Sequence, residues 1–167
     1  MTGKKIERKI TMRTLTELLC TLTVLLYPMV ATAVLSMLQA LLTEADGLSG
    51  GWGVCCMLLT VLAWLGAAVV TKTRLFGRPM PKTGLLLAGM LFFSVLFYTL
   101  AFVMENEVIG FSPAVWAMGR LFGAPAAVSA YGIETLLQAE PGTAAMLSCG
   151  MYLAVSFAAA LPVGKRK

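Results

Sequence analysis

Residues 105–142 read ENEVIGFSPAVWAMGRLFGAPAAVSAYGIETLLQAEPG, and how this stretch divides decides the fold. Its 38 residues are long for a connection between elements. It is not polar either, since Arg120 and Glu134 are the only charges between Val108 and Leu137. Read as one helix it is a further membrane span; read as two it is a hairpin. Ser112-Pro113 has the form of an N-cap followed by proline at the first helical position, which predicts a helix over Ala114–Phe122. Gly123-Ala124-Pro125 predicts a break, and Ala126–Gln138 a second helix. Each piece is roughly 10–13 residues, too short to span and of the length of re-entrant or interfacial segments.

Charge on either side of this stretch favours the hairpin. Twelve of the 13 basic residues fall in three clusters. Lys4, Lys5, Arg8, Lys9 and Arg13 precede the first apolar run, and Lys72, Arg74, Arg78 and Lys82 separate the second from the third. Lys165, Arg166 and Lys167 follow the fourth. Six of the eight acids (Glu44, Asp46, Glu105, Glu107, Glu134 and Glu140) are expected on the other side. This is the positive-inside pattern of a polytopic membrane protein. A single span through 108–138 would send the cationic tail to the wrong side, so the expected hairpin leaves and returns on the outer side.

The expected architecture is therefore all-α, a single membrane domain over 1–167. Four transmembrane helices fall near 15–42, 52–71, 83–104 and 143–163, with an outer-facing re-entrant or interfacial hairpin near 108–138. Both termini are expected in the cytoplasm, and residues 2–13 form a basic arm. The first run is 28 residues, or about 42 Å as a helix against a hydrocarbon core of about 30 Å. It must tilt, kink or emerge, and Pro28 is the expected kink. A cleaved signal peptide ending near Ala31-Thr32-Ala33 competes with this reading. The apolar run continues without pause to Leu42, so an uncleaved span is expected. The pattern points to a bacterial plasma membrane.

Composition narrows function by exclusion. The chain is 59% hydrophobic and 13% charged, with a mean hydropathy of +0.85; soluble domains carry about 25% charge. The net charge of +5 is not read as a nucleic-acid surface, because its basic residues flank apolar spans, where they meet anionic headgroups. There is no histidine, hence no HExxH metalloprotease pair and no general base of the commonest kind. No cofactor or metal is expected. Cys20, Cys55, Cys56 and Cys149 lie inside apolar runs without a CxxC spacing and read as buried packing residues. An outer-end meeting of Cys55 or Cys56 with Cys149 is the sharper alternative.

Two sets of residues remain as candidates. Arg120 is the one base expected on the outer side, and its planar fork suits phosphate or carboxylate. Glu134 is placed to orient it, and Trp116 to line the same ligand site; the blander reading is an ion pair with Glu105, Glu107 or Glu134, or snorkelling to lipid phosphate. Small residues at four-residue spacing let helices approach closely in lipid. The densest stripe, Ala144, Ser148, Ala154 and Ala158, is the expected packing interface. Expected partners are the lipid bilayer and either another membrane protein or a second copy, with no nucleic acid. The favoured function is a non-enzymatic accessory or structural subunit acting through helix packing. The alternatives are a small oligomeric transporter or pore-former using the hairpin around Arg120 and, less favoured, a lipid-acting membrane enzyme.

Overall fold

The structure is a computed structural model. It describes the backbone of residues 2–44, 49–73, 80–107, 109–110 and 112–161, and the side chains of these residues except 2–13, 43–44 and 49–50. The described residues form six helices: α1 (Thr2–Glu44), α2 (Ser49–Lys72), α3 (Pro81–Glu105), α4 (Pro113–Phe122), α5 (Ala124–Leu137) and α6 (Pro141–Ala160). Four are long and apolar enough to cross a membrane, over Thr14–Leu42, Gly51–Lys72, Pro81–Glu105 and Pro141–Ala160.

Proline sets several of these boundaries. α3, α4, α5 and α6 each carry proline in their first two positions, where the missing N–H has no intrahelical partner to lose. At the other end, α6 stops at Ala160, short of the expected 163. Leu161 is extended (φ −58°, ψ 133°), as the residue before Pro162 prefers to be; residues 162–163 lie outside those described. α1 is helical through the basic arm and across Pro28. Pro28 is fully buried, and its carbonyl accepts a hydrogen bond from the Thr32 hydroxyl at 2.7 Å.

The helices run alternately up and down. Thr21 of α1 meets Thr83 of α3 hydroxyl to hydroxyl at 3.2 Å. The Lys72 ammonium at the end of α2 donates to the Leu161 carbonyl at 2.8 Å, and the Met80 N–H donates to the Thr71 carbonyl at 2.7 Å. One end of the bundle thus gathers the end of α2, the start of α3 and the end of α6, and Lys72 and Lys82 make it the basic end. Glu105, Glu107 and Glu140 mark the opposite, acidic end.

The 105–142 stretch is a hairpin folded back among the long helices. The expected three-residue break contracts to one residue. Gly123 caps both helices, its N–H donating to the Gly119 carbonyl at 2.8 Å and its carbonyl accepting from Ala127 at 3.0 Å. Ser112 occupies the N-cap position with extended backbone, but its side chain makes no capping bond; the expected side-chain cap is absent, and proline alone sets the helix start.

α4 descends along α3, where Gly119 is pressed so close to Ala101 that a Cβ would clash with the Ala101 methyl and lie 2.8 Å from the Phe97 carbonyl. α5 then returns through the middle of the bundle. Its sequence APAAVSAYGIETLL is mostly small residues, and small residues let a helix sit between others at close range. Gly132 packs directly on Met57 and on the Gly53 carbonyl of α2. On its other side, the Ser148 hydroxyl of α6 donates to the Ala126 carbonyl at 2.7 Å, and Ser129 and Tyr152 share a buried hydrogen bond at 2.9 Å. The core continues through Trp64, Leu87, Leu91 and Val155.

α1 is the outlier. Only 17% of its apolar window is buried, against 33–44% for the other three. It is held to α2 by a buried bond in which the Trp64 indole N–H donates to the Thr32 hydroxyl at 2.9 Å.

Candidate functional site

At the acidic end α4 brings Trp116 and Arg120 together, since residues four apart stack on one helix face. The Arg120 Nη2 lies 2.7 Å from Glu105 Oε1 of α3, and the Trp116 Nε1–H donates to the same oxygen at 2.9 Å. The guanidinium carbon sits 5.3 Å from the centre of the Trp116 ring, within reach of a cation–π attraction. Gly119 packs at the level of Ala101, one turn below Glu105, so the Arg120 side chain extends back toward the end of the bundle, as a snorkelling arginine does.

Glu105, which the sequence offered only as one of three ion-pair partners, is therefore the hub of this corner. Among the described residues Arg120 makes no ion pair with Glu134. Glu134 is half-buried on α5, and its carbonyl accepts the N–H groups of Gln138 and Ala139. The Arg120–Glu105 pair is open to solvent, with side chains 60% and 38% exposed, and pairs of that kind contribute about 0–1 kcal/mol.

The four small residues of α6 separate onto two faces. Ala144 and Ser148 are buried, and Ser148 is bonded to α5. Ala154 and Ala158 are exposed. Ten residues of helix turn through almost three revolutions, which leaves 144 and 154 roughly 80° apart, so one pair faces inward and the other outward. The four cysteines are free thiols. Cys56 is buried and Cys149 lies 3.7 Å from the Thr99 hydroxyl. Among the described residues no group of three Cys, Asp or Glu side chains converges on a metal-sized site.

The largest departure from the sequence reading is a cavity of about 320 Å³ between α1, α3 and the α4–α5 turn. Met29, Trp64, Phe93, Ser94, Phe97 and Phe122 line it, and the rings of Phe97 and Phe122 stand 5.7 Å apart, tilted at 35°. A shallower groove of about 690 Å³ runs between α1 and α2 beside Tyr27, Val30, Val34 and Leu59. Sequence reasoning assigned none of these residues to a cavity. The one available signal was Trp64, an indole in mid-span rather than at the headgroup level, which needs a hydrogen-bond acceptor inside the bundle. No family model, curated protein or solved structure matches the chain.

Proposed function

We propose that this chain is a non-enzymatic subunit of a bacterial plasma membrane, with both termini cytoplasmic, that acts through helix packing against a partner protein or a second copy. The observation that carries the reading is the exposure of α1. Its apolar window is 17% buried, and Tyr27, Val30, Val34 and Met37 are each about 60% exposed or more. A groove beside it is shaped by α2, and Ala154 and Ala158 add a second smooth outward surface on α6. Close packing between helices in lipid uses small outward residues such as Ala154 and Ala158.

The interior gives little support to the alternatives. The buried polar side chains are serines and threonines, joined by the Tyr152 hydroxyl, and no charged side chain among the described residues is buried. A polar path would need several copies around it. Arg120 engages Glu105 rather than Glu134, which leaves the lipid-enzyme reading without paired acid–base groups.

The test is native mass measurement after gentle extraction from membranes. The expected wild-type species is a discrete complex heavier than the 17.8 kDa chain. Val34→Trp or Ala158→Trp, both at outward positions, should release the single chain. A wild type that emerges alone at 17.8 kDa, with both variants unchanged, overturns the proposal.

A further inference from the structure

Hydrogen-bond accounting inside the bundle leaves one group over. Eight serine and threonine side chains are buried, and seven of them are hydrogen-bonded. Ser94 is the eighth. It is only 4% exposed, and its hydroxyl has no hydrogen-bond partner among the described residues. It is not a sealed orphan: it lines the 320 Å³ cavity and opens into it. The other hydroxyl on that wall, Thr32, is already engaged, donating to the Pro28 carbonyl and accepting from Trp64. Among its side chains the cavity thus offers one free hydroxyl on otherwise apolar walls. A water needs two to four polar partners to reside in such a space, and the lining side chains supply one.

Depth and shape restrict the occupant. Ser94 is 11 residues from Glu105 at the end of α3, or about 16 Å at 1.5 Å per residue, near the middle of a hydrocarbon core about 30 Å thick. Phospholipid ester carbonyls lie at the boundary of that core and do not reach it. A bare acyl chain reaches it but leaves the hydroxyl unpaired. The matching ligand is uncharged, dissolves at mid-membrane depth and carries an acceptor directly on its apolar body. Phe97, Phe122 and Trp64 present aromatic surfaces, and Met29 and Met90 add polarisable sulfur, walls that favour a flat ring. We infer that the cavity between α1, α3 and the α4–α5 turn binds a membrane-dissolved lipophile of the quinone class, one ring carbonyl accepting a hydrogen bond from the Ser94 hydroxyl.

The test uses the full chain in phosphatidylcholine nanodiscs, with menadione as the probe. Trp64 lines the cavity, so a chain carrying Trp52→Phe and Trp116→Phe reports occupancy through its remaining indole. Saturable quenching of Trp64 is expected. Ser94→Ala, which removes one oxygen, should weaken binding about fivefold, the worth of one net hydrogen bond. Methylnaphthalene, with the same ring system and no carbonyl, should compete far less well against the unsubstituted Ser94 chain. Quenching that rises linearly without saturation overturns the inference. So does equal affinity in the Ser94→Ala chain, or competition by methylnaphthalene as strong as by menadione; this last arm needs no variant at Ser94.

Discussion

The Trp64–Thr32 bond is a buried polar tie between α1 and α2, and replacing Thr32 by valine isolates it. Valine keeps the shape of threonine and removes the acceptor, so the change strands the indole N–H in a site where Trp64 is 2% exposed and Thr32 equally buried. An orphaned buried donor costs about 1–3 kcal/mol in soluble proteins. Hydrogen bonds between membrane helices are worth less, about 0.6 kcal/mol on average and up to about 1.7, because the dissociated helices find other partners in lipid. Two features place this bond near the upper figure. It is buried, and the Thr32 hydroxyl also donates to the Pro28 carbonyl, so the two bonds polarise one another. The expected loss for Thr32→Val is about 1.5 kcal/mol. Trp64→Phe removes the donor instead, and the double variant should cost less than the sum of the two by about 1 kcal/mol. Reversible unfolding in mixed micelles measures all three. An additive cycle, or a Thr32→Val variant as stable as wild type, would show that this bond does not hold α1 to α2.

Three further outcomes follow from the same contacts. Gly132→Ala should destabilise the bundle by about 1–3 kcal/mol by overpacking, since the added Cβ lands on Met57 and 2.8 Å from the Gly53 carbonyl; unfolding in mixed micelles would reveal a neutral effect if α5 were not seated this tightly. Glu105→Ala should cost more than Arg120→Ala, because Glu105 serves both Arg120 and Trp116. The arginine variant should lie within about 1 kcal/mol of wild type, and a larger effect for Arg120→Ala than for Glu105→Ala would contradict the hub role of Glu105. In a background without the four native cysteines, Asn106→Cys should react with a membrane-impermeant maleimide from outside the cell and Lys82→Cys only after the inner face is opened. The reverse pattern would invert the orientation inferred from charge.

The hairpin shows how far residues alone carry the argument. Pro113 and Pro125 fall at helix starts because a ring without an N–H costs least in a first turn, although Pro28 is carried inside α1. The two short helices were therefore legible, and α4 and α5 lie within two residues of their expected bounds. Where α5 goes was not legible. Its small residues permit close approach to any neighbour, and only the assembled bundle selects α2 and α6.

The same distinction runs through the candidate sites. Arg120 stood out by composition as the lone base in an apolar stretch, but its partner depended on how far α4 descends along α3, which Gly119 and Ala101 set by contact. Ala144 and Ala154 look equivalent as letters, and helical phase against α5 makes one interior and the other surface. Ser94 is an ordinary serine in an apolar run until the seven other buried hydroxyls find partners and it does not.

Sequence by itself determined the helical class, the four apolar runs and the alternation of basic and acidic clusters between them. Those follow from local and one-dimensional physics: hydropathy, helix rise, and the cost of moving a lysine across lipid. Tertiary structure alone decided the central seat of α5, the thin burial of α1 and the cavity at Ser94. Each of these depends on which surfaces meet, and close packing is a property of pairs of helices that no single stretch of residues contains.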